Sequence, residues 1–270
     1  MTSRAFADLS SAHVVDAVRG RSLIWPIGST EQHGPHLPLS VDTTIAEAMA
    51  ARLARELDGY ALPALPIAAR SLPQSGGGLS FPGTLHVTGE SLIHYLRDVL
   101  RSLAPLPFAR LIVLNGHYEN ESLLFEALDQ TARDGSLPGR ELIAFSWWSL
   151  LDAEWLAAEL PRFPGWHAEH AGLTETSLML HLRPDLVSDA RPEHDDPPRA
   201  GVYLHPVDLS RTTTEGVLSS TTGATALIGD KLFEKVIAEA VSLVLSGDGL
   251  ARPEPSASAV DERHKARNEP

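Results

Sequence analysis

The chain has 270 residues, 43% of them hydrophobic, enough to bury a substantial core in one large domain expected over residues 1–247. A formal charge of −13 speaks against nucleic acid as a partner, since phosphate contacts need clustered Lys and Arg; the absence of cysteine excludes disulfides, thiolate nucleophiles and cysteine-held zinc. No apolar run reaches the length of a membrane span, and the start, MTSRAFADLSSAHVVDAVRG, lacks a signal peptide's apolar core, so a cytoplasmic location is expected.

SLIWPIG (22–28) reads as a buried strand and passes directly into GSTEQHGPHLPLSVD, which has two histidines, two carboxylates and little apolar content. The spacing of Ile45, Met49, Leu53 and Leu57 predicts a helix over 44–57, with Thr44 and Glu47 set as a capping box. YALPALPI (60–67) predicts a second strand, at an edge or irregular because of its prolines. The Gly-, Pro- and Ser-rich AARSLPQSGGGLSFPGTLHV is a long loop of the kind that is functional or mobile. Helical spacing returns over 89–104, followed by the strand ARLIVLNG (109–116) and a helix over 120–135. ELIAFSWW (141–148) predicts a strand ending in two tryptophans, one facing inward and one outward. AGLTETSLMLHL (171–182) is a helix, 185–222 is loop-rich, and 224–247 is a long amphipathic helix closed by Gly247. The polar, Pro-containing residues 248–270 read as a disordered tail. Strands alternating with helices imply an α/β three-layer sandwich with a mainly parallel sheet, its site at the carboxyl ends of the strands.

The polar clusters fall at those ends. Glu31 and His33 are two apart, so an extended segment projects both to one side, and Asp42 arrives where the next helix starts. His117 and Glu119, again two apart, follow the strand over 109–116. Taken singly, each has an ordinary explanation: an exposed loop glutamate, a capping aspartate, a histidine bound to a carbonyl. Asn115 and Asn120 suit a turn and a cap. Jointly, two His–carboxylate pairs with an additional Asp meet the needs of a two-metal site, in which carboxylate bridges cations and imidazole supplies nitrogen. Glu47, Glu121 and Glu126 read as helix-surface or capping residues. His13, His86, His94, His181, His194, His205 and His264 lack a ligand-like setting, and spacing does not assign His36.

PIGSTEQHGPHLPLSVD, QSGGGLSFPGT, LNGHYENE, GWHAEH, ETSLML and HPVDLSRTTTEGVLSS together resemble the creatininase, or creatinine amidohydrolase, family over residues 20–245. The E-x-H-G-x-H…D element belongs to a wider superfamily that includes deformylases and a peptide-processing branch; NGHYEN, QSGGG and ETSLML point to the creatininase branch. The resemblance implies two divalent cations, zinc and manganese or two zincs. One would be held by Glu31, Asp42 and His117, the other by His33, Asp42 and Glu119. Glu175 would stand behind these ligands. On the substrate side it implies Ser75, Tyr118, Trp166 and His170, with water activated by the cations attacking the ring amide carbonyl of creatinine.

His170 would carry the proton to the departing nitrogen, and Glu169 would orient it or receive a proton. Backbone amides at Ser75, Gly76 and Gly77 suit close approach to a small planar ligand, and Trp148 is expected nearer the site than Trp147. His167 stands where the family carries an aspartate that contacts the amino group of creatinine; creatinine stays the leading expectation, and the change makes a related cyclic amide or amidine lacking that amino group, with an acidic substituent for His167 to bind, the alternative. The family also implies a homo-oligomer, a hexamer built as a trimer of dimers. The other readings are a related cyclic amide or lactam hydrolase, a deformylase, a peptide-processing hydrolase, or a non-catalytic metal- or ligand-binding oligomer.

Overall fold

The computed structural model describes residues 4–72, 75, 80–194, 203, 205, 206, 213 and 215–246. After a short helix α1 (Val14–Val18), the chain enters β1 (Ser22–Ile27), buried along its whole length. Helix α2 (Val41–Glu56), β2 (Tyr60–Ala61) and α3 (Gly89–Ser102) follow, then β3 (Arg110–Asn115), α4 (Asn120–Arg133) and β4 (Glu141–Ser146). The later helices are α5 (Ala153–Glu159), α6 (Leu173–Leu182) and α7 (Ala226–Ser246). The strands form one parallel sheet in the order β2-β1-β3-β4.

Alternation along the strands builds two cores. Leu23, Trp25 and Ile27 of β1 and Leu111 and Val113 of β3 pack on one face against Leu92, Leu96 and Leu100 of α3 and Leu124 of α4. Ile24, Ile112 and Leu114 face the other way, onto Ile45, Met49 and Leu53 of α2, Leu178 of α6, and Leu232 and Val236 of α7. This is a three-layer α/β sandwich with helices on both faces of a parallel sheet. No described helix is long and apolar enough to cross a membrane.

Several elements depart from the sequence pattern. Helix α2 starts at Val41, with Ser40 as its N-cap, so Thr44 lies one turn inside and the Thr44/Glu47 capping box does not form. The earlier start buries Val41 and places Asp42 in the first turn, where the helix dipole favours a carboxylate. The second strand shrinks to Tyr60–Ala61 at the sheet edge, because Pro63 and Pro66 have no N–H for a ladder.

Strand β4 stops at Ser146, and Trp147–Leu150 form a 3₁₀ turn. The two tryptophans therefore do not split inward and outward: they are 1% and 9% exposed, and both are buried. Helix α5 was not apparent from periodicity; Asp152 caps it, its Oδ1 accepting from Trp155 N at 2.7 Å. Gly76, Gly77, Gly247 and the tail 248–270 lie outside the described residues.

Candidate metal centre and cleft

The carboxyl ends of β1 and β3 cross the first turn of α2 at very short range. A Cβ at Gly28 would lie 2.5 Å from Thr43 N and Cα, and one at Gly116 would lie 2.5 Å from Asp42 O. Only glycine fits at these two positions, and the approach brings the loops after β1 and β3 onto Asp42. Buried amides fix the loops. Asn120 Nδ2 donates to Gly28 O at 3.0 Å and Asn115 Oδ1 at 3.2 Å, and its Oδ1 accepts from Ala69 N at 2.9 Å. Asn115 in turn donates to His117 O at 2.8 Å and accepts from His117 N at 3.1 Å.

Glu31, His33, Asp42 and His117 are buried side by side. His117 Nδ1 lies 3.0 Å from Glu31 Oε2 and 3.1 Å from Asp42 Oδ2. His33 Nε2 lies 3.1 Å from Asp42 Oδ1 and 3.6 Å from Glu175 Oε2. His33 Nδ1 sits 3.0 Å from Glu31 O, which can only accept, so Nδ1 carries a hydrogen and Nε2 is the nitrogen that faces the carboxylates. Three groups of ligand atoms result: Glu31, Asp42 and His117; His33, Asp42 and Glu175; and Glu31, His33 and His170, with Asp42 common to the first two.

Glu119 belongs to none of these groups. Its Oε2 is 3.3 Å from the other nitrogen of His117, Nε2, while its Oε1 accepts from Leu72 N at 3.0 Å and from Ser75 Oγ.

The electrostatics fit a cation site. Glu31 Oε1, His33 Nε2, Asp42 Oδ2 and His117 Nε2 are buried and have no hydrogen-bond partner among the described residues. Such atoms are costly to bury unless another charge compensates them. Burial raises Glu31 above the usual carboxylate range, against the pull of His117. Burial opposes charge on both histidines, but Asp42 and Glu175 hold His33 well above its usual value, and Glu31 and Glu119 do the same for His117. Asp42 is likewise resisted by burial, yet His33 and His117 hold it below its usual range. Clustered carboxylate oxygen and imidazole nitrogen is the donor chemistry of zinc, manganese and related divalent ions.

The segment after Trp166 supplies the next shell. His170 is buried, its ring centroid 4.4 Å from that of His33, and its Nε2 lies 3.9 Å from Glu31 Oε1. Burial and then the neighbouring His33 push it well below the usual histidine value, which favours its neutral form. Ala171 has φ +54, a strained conformation for a residue with a side chain, and its N–H donates to Glu175 Oε2 at 2.6 Å. Glu169 Oε1 accepts from Thr174 N at 2.6 Å and Thr174 Oγ1 at 2.8 Å. Burial and the nearby Glu175 nonetheless raise Glu169 to about 7.

His36, which spacing left unassigned, is a buried tie. Its Nε2 is 2.9 Å from Thr176 Oγ1, and burial, with Arg191 and His33, lowers it to about 4. Glu175, which the resemblance sets behind the ligands, reaches His33 itself, whereas Gln32, buried between Glu31 and His33, gave no distinctive signal in the sequence beyond sitting in EQH.

Above the cluster opens a cleft of about 480 Å³, its mouth included, lined by Ser75, Tyr118, Glu119, Trp148, Trp166, His167 and His170 over the ligands. Its wall is aromatic. Tyr118 stacks on Trp148 at 6.3 Å, Trp147 meets Trp148 and Trp166 edge-on at 5.6 and 5.4 Å, and Phe163 meets Trp166 at 4.5 Å. Both Trp147 and Trp148 line the cleft.

Fold and cluster together define an α/β protein with a His–carboxylate centre at the carboxyl ends of its parallel strands. The creatininase family model, described as creatinine amidohydrolase, matches residues 7–244. Creatinine amidohydrolase of Pseudomonas putida is 35% identical over 218 residues, 78% of this chain and 84% of that protein. A mycofactocin precursor peptide peptidase of Mycobacterium ulcerans (strain Agy99) is 34% identical over 233 residues, 83% and 84% of the two. A mutant creatininase complexed with creatine superposes at a TM-score of 0.85 with 32% identity, covering 90% of this chain and 98% of the other. Creatininase structures of a manganese form and a zinc–zinc form share the same coverage and 31% identity, at TM-scores of 0.85 and 0.82. The chain belongs to the creatininase family and is a hydrolase.

Proposed function

We propose that this hydrolase opens a small cyclic amide, with creatinine the leading substrate, using two divalent cations per chain. The observation that carries the reading is the pair of ligand groups joined through Asp42 at the floor of an aromatic-walled cleft. Glu31, Asp42 and His117 would hold one cation; His33 and Asp42 would hold the other, with Glu119 or Glu175 completing it. When bound, the cations, zinc and manganese or two zincs, would supply a nucleophile from water near neutral pH and polarise the amide carbonyl.

The chain's own groups do the rest. Neutral, buried His170 is suited to take a proton and deliver it to the departing ring nitrogen, which otherwise leaves as a strongly basic anion. Glu169, near 7, is suited to exchange protons or orient the segment. Trp148, Trp166 and Tyr118 offer a slot for a flat ring and exclude water, while Ser75, with Gly76 and Gly77 beside it in sequence, and His167 stand on the substrate side.

A second reading, a peptide-processing hydrolase, is favoured by the similarity to the mycofactocin precursor peptide peptidase. Turnover of creatinine, hydantoins, lactams, formylated amines and short peptides by zinc- and manganese-loaded protein separates the two. Creatinine or a related ring is expected to be opened, with activity falling by about 10²-fold or more in Glu119→Gln. Cleavage of peptides alone would overturn the cyclic-amide reading. A rise in creatinine turnover in His167→Asp would identify His167 as the selector among rings.

A further inference from the structure

The late tract TTTEGVLSS takes no part in the ligand groups, yet its described residues hold the site from behind. Gly216 O accepts from Gln32 Nε2 at 3.0 Å, Leu218 N donates to His170 O at 3.1 Å, and Ser219 Oγ donates to Glu169 Oε2 at 3.3 Å. Gln32, 5% exposed between Glu31 and His33, is the hub. Its Oε1 accepts from Gly34 N at 3.0 Å. A backbone N–H can only donate and a carbonyl can only accept, so Gly34 and Gly216 fix which end of the Gln32 amide is which. The NH₂ end then lies 2.9 Å from His170 Nε2. The backbone carbonyl of Gln32 lies 3.0 Å from that same nitrogen. One imidazole nitrogen cannot accept from the amide and donate to the carbonyl at once.

We propose that Gln32 is a positioning residue for His170: its amide donates to Nε2, keeping that nitrogen free of hydrogen and the ring hydrogen on Nδ1. A neutral amide achieves this without adding charge beside the ligand groups. The proposal deepens, and rests on, the reading of His170 as the group that moves the proton. Gly216 is part of the device, because it has φ +78 and a Cβ there would lie 1.9 Å from Gln32 Oε1. Gly223 provides a matched control: its φ is +92, but the nearest atom to an added Cβ is 4.0 Å away. Alanine at 223 meets similar backbone strain without touching Gln32.

The test is solid-state NMR of the zinc-loaded full chain labelled in histidine with ¹³C and ¹⁵N, with His170 assigned by its loss in His170→Asn. The expected wild-type ring carries its hydrogen on Nδ1. In Gln32→Met it moves to Nε2, since the carbonyl of residue 32 is the partner that remains. Gly216→Ala follows Gln32→Met, and Gly223→Ala follows wild type. Zinc content is expected to be equal throughout, while kcat on creatinine falls about 10²-fold in Gln32→Met with KM little changed. Hydrogen on Nε2 in the wild type, or an unmoved hydrogen in Gln32→Met, overturns the proposal. If Gly216→Ala does not fold, Gln32→Met decides alone. Absence of creatinine turnover in the wild type would refute the substrate reading, and the spectra would still decide the role of Gln32.

Discussion

Glu169 is held by groups that favour its charge and enclosed by packing that disfavours it. Thr174 donates twice to its carboxylate, but burial and Glu175 win, and it titrates near 7 against an ordinary 4.5. Between those values the native state binds more protons than the unfolded chain. The stabilisation of protonated Glu169 is thus complete below pH 4.5 and is lost as pH rises through 7. Glu169→Gln removes this dependence while keeping an acceptor for Thr174. In chelator-treated protein, the melting temperature of Glu169→Gln is expected to fall less than that of wild type between pH 5 and pH 8. Parallel pH profiles for the two proteins would refute it.

At the scale of elements, Asn120 matters more than its place at the start of α4 suggests. It joins the residue after β1, the segment after β2 and the end of β3 through three hydrogen bonds, with its side chain fully buried. Asn120→Ala leaves Ala69 N and Gly28 O without that partner and is expected to cost about 3 kcal/mol, read as a lower urea midpoint at unchanged slope. A loss below about 1 kcal/mol would show that water replaces the amide.

Sequence patterns gave the strands and long helices because apolar runs and helical periodicity report burial directly. They also singled out Glu31, His33, Asp42 and His117, not one by one, since each alone has an ordinary explanation, but because they recur together at successive strand ends. Glu175 was placed only behind the ligands, because its direct approach to His33 depends on the turn at Ala171 and on how α6 packs against α2, and neither has a signature in spacing. Gln32 was hidden by its chemistry, a neutral amide between two ionisable residues. Helix α5, seven residues long, offers too few turns for periodicity, so its Asp152 cap was the only cue.

At the scale of the whole molecule, the buried Glu31, His33, Asp42 and His117 are a local conflict that a bound cation would relieve. Chelation is expected to lower the melting temperature, and zinc or manganese to restore it with the concentration dependence of a ligand that binds only the folded state. That amounts to about 2.7 kcal/mol at 100 times the dissociation constant. A melting temperature indifferent to chelator would argue against resident cations. Because Asp42 is common to two of the ligand groups, an ion in each of these would tie residue 42 to His117 and, through the other group, to Glu175. In a chain without cysteine, those ties would serve as reversible cross-links between distant stretches of sequence, shrinking the unfolded ensemble as a disulfide does. Unlike a disulfide, they would come and go with metal supply, so the rate at which a protease destroys the protein would track the free-metal level around it.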